Sequence, residues 1–271
     1  QGMRITETSS AGCVPELALH NPLEENVLLY DGEELVGAKQ NRILNVTVLV
    51  AAKSSLTIPV SCVEEGRWRD VSASFAAAPH HAHPELRRRK AEALAAQPLA
   101  RGVAQGEVWD SVRDKAARMG VHSPTQANAD VFDRYRRDIR ALEDAFPAQP
   151  GQCGAVLTLG DSLCLDYVSR PGAFAHLWPK LRAGYLLDAL ECLDGKPTPA
   201  DRAVQFVDDV AGATVTRGPS VGLGEDVRLR SARVIGSGLE LNSELLQLCA
   251  FTSEDGGARA FGRIARPSRR R

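Results

Sequence analysis

The chain has 271 residues, 44% hydrophobic and 25% charged, a balance that suits a globular protein with one large core or two smaller ones. Lys and Arg total 33 against 34 Asp and Glu, so the formal net charge is -1 and no broad basic field exists to hold nucleic acid. No apolar run approaches the ~20 residues of a membrane span. Residues 1–10 lack the charged-then-apolar layout of a signal peptide, which predicts a cytoplasmic protein. The cysteines, Cys13, Cys62, Cys153, Cys164, Cys192 and Cys249, stand too far apart for a zinc or dithiol motif.

Taken in chain order, the first pattern is β. Residues 27–30 are apolar, Asp31-Gly32 signals a turn, and Leu44, Val46, Val48 and Val50 alternate with more polar neighbours. A second alternation, Leu56, Ile58, Val60 and Cys62, follows Lys53-Ser54-Ser55, so the two read as an antiparallel hairpin. Residues 73–83, rich in Ala and Pro and carrying His80, His81 and His83, read as a mobile loop. Three helices come next. Residues 84–97 begin on a first-turn Pro and carry only a thin apolar stripe; Val108, Val112, Ala116 and Met119 line the second, closed by Gly120. The third opens on Ser123-Pro124-Thr125-Gln126, read as a capping box with Pro124 at the first helical position, ahead of Val131, Tyr135, Ile139, Leu142 and Phe146.

Pro147 to Gly151 interrupts this pattern. Beyond it come a short hairpin around Gly160-Asp161, a helix through Phe174, Trp178 and Tyr185 with Pro179 inside it, a helix through Ala203, Phe206 and Val210, and β-like stretches from Thr214 to Thr252. This order predicts an α+β fold, antiparallel hairpins packed with several helices in mixed order rather than regular β-α-β. The expected organisation is residues 1–146 as the core carrying the polar blocks, 151–262 as a second half packed into the same globule, and 263–271 as a basic tail.

Three short motifs imitate enzyme sites. Gly218-Pro219-Ser220-Val221-Gly222 matches a nucleophile elbow, but no helical stripe follows it. Gly160-Asp161-Ser162-Leu163 resembles the nucleophile block of GDSL esterases, yet no histidine occurs after His176 to serve as base, and a β-turn accounts for it. His80, His81 and His83 could in principle bind a metal, but in an Ala/Pro-rich stretch, read without a ligating carboxylate or Cys beside them, they are taken as a flexible loop and no metal is assigned.

Two polar blocks remain. Residues 31–42, DGEELVGAKQNR, hold three acids, two bases, two amides and two glycines between strands, far more than a turn requires. Residues 59–68, PVSCVEEGRW, end a strand in alternating Cys62 and Glu64, followed by Arg67 and Trp68. If these strands pair, Glu33, Lys39, Arg42, Glu64 and Arg67 converge at one sheet end. Guanidinium groups fork onto phosphate or carboxylate and Trp68 offers a stacking face, whereas a structural network of carboxylates paired with Lys and Arg is the competing account. Trp109, one place off the stripe begun by Val108, is free to flank a pocket. The expected site is therefore Glu33 and Glu64 as acid/base groups, with Lys39, Gln40, Asn41, Arg42, Arg67, Trp68 and Trp109 holding ligand.

Taken in order, Val14-Pro15-Glu16-Leu17, the two polar blocks, residues 105–112 (QGEVWDSV) and Ser123-Pro124-Thr125 resemble the ADP-ribosylglycohydrolase and rhodanese-phosphatase superfamily associated protein domain family. Residues 178–190 look like a later helix of that family, and the likeness fades beyond about Gly195. The resemblance implies a further strand and helix upstream of residue 1. It also implies a nucleotide-derived ligand such as ADP-ribose by association, with no established reaction. The expected partner is a small phosphorylated ligand, with neither nucleic acid nor membrane; a non-catalytic interaction module is the alternative. No cofactor is assigned, and self-association through strand edges stays open.

Overall fold

The computed structural model describes residues 2–96, 105–193 and 198–253. The first half folds into β1 (Arg4–Glu7), β2 (Glu16–Asn21), β3 (Val27–Leu29), β4 (Glu33–Gly37), β5 (Arg42–Leu44), β6 (Val48–Val50), β7 (Ser54–Cys62) and β8 (Phe75–His81), followed by α1 (Pro84–Ala96), α2 (Gln105–Arg118) and α3 (Asn128–Glu143). Six of these strands make one antiparallel sheet in the order β1-β2-β7-β5-β4-β8, and β3 pairs with β6 in a separate ribbon. Leu17, Leu19, Leu35, Leu44, Ile58 and Val60 of the sheet bury against Leu29, Val48 and Val50 of the ribbon.

The second half contributes β9 (Gly154–Leu159), β10 (Ser162–Val168), α4 (Pro171–Ala189), α5 (Ala200–Ala211), β11 (Thr214–Pro219), β12 (Glu225–Arg230), β13 (Val234–Leu241) and β14 (Glu244–Thr252). Its sheet runs β11-β12-β13-β14-β10-β9, again antiparallel. The result is the α+β architecture that the hydrophobic periods predict. Gly160-Asp161 is the β9–β10 turn, and Ser220 hydrogen-bonds Gly222 O and Leu223 O in a loop with no helix after it, so neither enzyme-like serine motif is realised. The basic tail at 263–271 lies outside the described residues.

Four local expectations are corrected. Residues 44–50 and 56–62 do not form a hairpin: β6 pairs with β3, whereas β7 lies between β2 and β5 with Arg42 opposite Cys62. Asn45 and Thr47 explain the break. Both are buried, Asn45 Oδ1 accepting from Ser61 Oγ at 2.8 Å and Thr47 Oγ1 from the Asp31 N–H at 3.0 Å, so their side chains take over where a strand ladder would run. The first polar block is not a simple connection either, since it contains β4 and a tight turn through Ala38 at φ 40°.

The supposed mobile loop is β8, paired with β4, and His80, His81 and His83 are buried. The third helix starts at Asn128 instead of Pro124 because Gln126 adopts φ 52°, outside helical space. Ser123 does not cap that helix: its Oγ accepts the N–H of Ala127, the N-cap residue itself, at 2.8 Å and so holds the turn ahead of it.

The thin apolar stripe of α1 has a cause: the helix runs through the interior with its charges inward. Arg87 and Lys90 are fully buried. Arg87 forks onto Asp166 of β10 at 2.8 and 2.7 Å, and the same carboxylate accepts the hydroxyls of Tyr30 at 2.6 Å and Tyr185. Lys90 donates to Asp31 Oδ2 at 2.7 Å and to the carbonyls of Leu44 and Asn45. Burial opposes the charge on Arg87, but Asp166 outweighs it and holds the guanidinium well above its ordinary pKa. Two glycines allow this packing. A Cβ on Gly32, at φ 82°, would sit 2.9 Å from Arg87 Cδ, and one on Gly184 of α4 would sit 2.8 Å from the His81 carbonyl oxygen.

Asp166→Ala leaves the Arg87 charge buried without its partner and is expected to cost about 3–5 kcal/mol of unfolding free energy in urea titration. Arg113→Ala on α2, which breaks exposed pairs with Asp110 of the same helix and with Glu65 after β7, is expected to leave the unfolding midpoint unchanged. Equal losses in the two variants would refute the central role given to the Arg87 fork.

Candidate ligand site at the end of the first sheet

Because β5 and β7 pair with Arg42 opposite Cys62, the β4–β5 turn and the segment following β7 meet at one sheet end, joined by Val63 N–H to Asn41 O at 3.0 Å. Two arrangements occupy this corner.

The first is a clamp. Arg67 donates to Ala38 O at 2.7 Å, Arg69 O at 3.2 Å, Gly37 O at 3.3 Å and Asn41 Oδ1 at 3.0 Å, and stands 2.7 Å from Glu64 Oε2. Glu64 accepts in turn from Asn41 N–H at 3.2 Å and from Thr125 Oγ1 at 2.9 Å. Burial pushes the Glu64 carboxyl up, but the hydrogen bonds from Arg67, Asn41 and Thr125 prevail and hold it below its ordinary value. With these donors and acceptors committed, the clamp fixes the turn.

The second arrangement is open. The Arg42 side chain is fully buried, and its Nη1 donates to Gln40 O and Oε1, both at 3.1 Å. Its Nε and Nη2, the side-on edge that grips an oxyanion with two parallel N–H groups, are buried with no hydrogen-bond partner among the described residues. Glu7 Oε1 lies 3.9 Å from Nη2 and accepts from the Lys39 N–H at 3.3 Å, while Glu7 Oε2 is buried and unpartnered. Trp68, 48% exposed, lies over the guanidinium with its ring centroid 5.7 Å from Cζ. Lys39 reaches Asp70 at 3.0 Å, and Gln40 reaches Glu65 O at 3.4 Å. Gly12, at φ 77°, closes the corner: a Cβ there would meet Lys39, Trp68 and Glu7 within 3.3 Å. Beneath it, the Gln105 amide pairs with both main-chain groups of Cys62, at 2.7 and 2.9 Å. Burial pushes the Cys62 thiol up to about 11, which rules it out as a nucleophile near neutral pH.

Lys39, Gln40, Asn41, Arg42, Glu64, Arg67 and Trp68 thus come together. Glu33 does not, being paired with Lys180 of α4 at 2.8 Å, and Trp109 is half-buried on α2 with no hydrogen bond or ring contact to the corner. Sequence reasoning missed Glu7 and Gly12, for which no local motif exists.

It also missed the carboxylates beside the histidines. His80 Nε2 stands 3.1 Å from Glu34 Oε2 and its ring stacks on Phe132 at 3.7 Å, while His83 Nδ1 stands 2.8 Å from Asp188 Oδ1. Those acids are distant in sequence and adjacent in space.

Two antiparallel sheets joined through an ionic interior, with one buried guanidinium edge left without a hydrogen-bond partner at a sheet corner, define an α+β protein. The chain belongs to the ARG and Rhodanese-Phosphatase-superfamily-associated Protein domain family, whose model matches residues 1–251. The match runs well past Gly195, where the likeness had been expected to fade. No curated protein and no solved structure matches. No helix among the described residues is long and apolar enough to cross a membrane.

Arg67→Ala is expected to lose several kcal/mol of folding stability, read as a lower urea midpoint, because it leaves Glu64 buried without its partner. The pH dependence has a definite sign. Glu64, held below its ordinary value, contributes stability that is fully present above about pH 4.3 and is lost as pH falls through the folded-state value. Glu64→Gln should flatten that acid limb, and an unchanged limb would count against the clamp.

Proposed function

We propose that the chain binds a small phosphorylated, nucleotide-derived ligand such as ADP-ribose at the Arg42–Trp68 corner. The observation that carries this reading is the buried Nε/Nη2 edge of Arg42, left without a hydrogen-bond partner beneath an exposed indole. A phosphate or carboxylate satisfies both N–H groups at once, and a base or ribose packs on Trp68. Lys39, Gln40 and Asn41 line the approach, and Arg67 and Glu64 hold the turn that carries them. The family's association with ARG, the ADP-ribosylglycohydrolases, supports the choice of ligand class.

Binding fits better than turnover. Both oxygens of Glu64 accept hydrogen bonds within the clamp and Glu33 pairs with Lys180, which leaves neither carboxylate free as an acid or base at the Arg42 edge. Because the edge is buried, Trp68 and Glu7 must give way as ligand enters. The second reading, a protein-interaction face, draws on Trp68 and Val71, both exposed on one short segment.

Isothermal titration with ADP-ribose, ADP and inorganic phosphate tests the first reading. Arg42→Lys is expected to weaken binding by about 1.5–3 kcal/mol, the range for hydrogen bonds to charged groups, with added salt acting in the same direction, and Trp68→Ala by about 1–3 kcal/mol through lost stacking. Trp68→Ala should leave the urea midpoint unchanged. If none of the three compounds binds the wild type, the ligand reading fails and the interaction face gains.

A further inference from the structure

A separate cluster lies where β8 turns into α1 and meets the end of α4. His83, Glu85 and Asp188 are all buried, and one donor atom from each falls within 4.8 Å of the others. They come from three different segments: the β8–α1 junction, the first turn of α1 and the last turn of α4. Gly184 lets α4 approach the β8–α1 junction closely enough to bring Asp188 there, since a Cβ at 184 would lie 3.4 Å from His83 Cα as well as against the His81 carbonyl.

The state of His83 points to a ligand. Its imidazole is fully buried: Nδ1 stands 2.8 Å from Asp188 Oδ1 as an ion pair, while Nε2 has no hydrogen-bond partner among the described residues. A protonated imidazole needs two acceptors, whereas a metal-bound one turns a lone pair to the ion and needs only one.

Charge gives the second argument. Glu85, Asp188 and Glu191 supply three carboxylates here, and Lys115 and Arg118 supply two cations. Lys115 donates to Asp188 at 2.7 Å and to Glu191, and Arg118 pairs with Glu191 at 2.8 Å and with Glu85. One negative charge therefore stays uncompensated when His83 is neutral, a deficit that a bound cation or a proton on His83 would meet.

The remaining coordination features are in place. Asp188 Oδ2 accepts the Glu85 N–H at 2.9 Å, and Arg118 holds the Glu85 carboxylate, which orients both prospective ligands.

We propose that His83, Glu85 and Asp188 bind one divalent transition-metal ion of the zinc or manganese class. The mixed nitrogen and oxygen donor set favours such ions over calcium or magnesium, which take oxygen ligands. The ion ties α1 to α4, a structural role. Lys115 competes with it for Asp188, so its removal should favour the metal.

The test equilibrates the full chain with Zn2+ or Mn2+, removes free ion by gel filtration, and reads bound metal by plasma mass spectrometry with melting temperature in parallel. The wild type is expected to retain about one equivalent and to melt higher with metal, and His83→Gln to retain under about a fifth of that with an unchanged circular dichroism spectrum. Lys115→Met should bind the ion about tenfold more tightly. Failure of the folded wild type to retain metal, or an equal load in His83→Gln, overturns the site and leaves His83 as an imidazolium closing the charge. If His83→Gln does not fold, pulsed electron paramagnetic resonance of Mn2+-loaded wild type decides: imidazole nitrogen coupling supports the site, and its absence overturns it.

Discussion

The fork between Arg87 and Asp166 is the interaction on which the rest of the molecule depends. It sets a fully buried guanidinium from the first half against a fully buried carboxylate from the second, and draws two tyrosine hydroxyls from opposite sides of the chain onto the same acid. A buried charge pair adds little over a well-packed apolar contact, but half of one is intolerable, so it selects a single way of apposing the two sheets. Tyr30 makes this visible: its chain position belongs to the first half, while its ring packs with Phe174, Trp178, Tyr185 and Phe251 of the second.

The candidate site depends on the same logic at smaller scale. Arg67 and Glu64 hold the turn by satisfying one another and the backbone, whereas Arg42, a few ångströms away in the same strand pair, keeps an edge unsatisfied. Two arginines from neighbouring motifs thus divide the work. Main-chain carbonyls surround the first, whereas the second spends only its Nη1 on Gln40 and leaves Nε and Nη2 beside an indole and a carboxylate 3.9 Å away.

Much of this was legible in the sequence. Alternation found the strands of the second half and the β9–β10 turn, and helical spacing located α2, α4 and α5 closely. The two polar blocks do meet at one sheet end, through the β5–β7 pairing that sets Arg42 opposite Cys62 rather than through the expected hairpin. What escaped was whatever rested on buried polarity. Asn45 and Thr47 broke a strand that apolar counting had run straight through, and the 73–83 stretch looked mobile because Ala and Pro surround its histidines, although His80 meets Glu34 of β4 and His83 meets Asp188 of α4. Arg87 and Lys90 made α1 look weakly amphipathic, when its charged face points into the protein. A hydrophobic period marks burial only where burial is apolar, and this chain buries much of its charge.

Gly184 shows what such an interior means for tolerance to change. It carries no charge and touches no ligand, yet it lets α4 come against the carbonyls of the β8–α1 junction, at a separation that a single methyl group would not permit. The same helix delivers Lys180 to Glu33, Tyr185 to Asp166 and Asp188 to His83. A methyl at 184 would act as a wedge at the fulcrum of that helix, and lifting the helix would open all three connections together. In this fold the most damaging electrostatic lesion can therefore be written by a substitution that alters no charge.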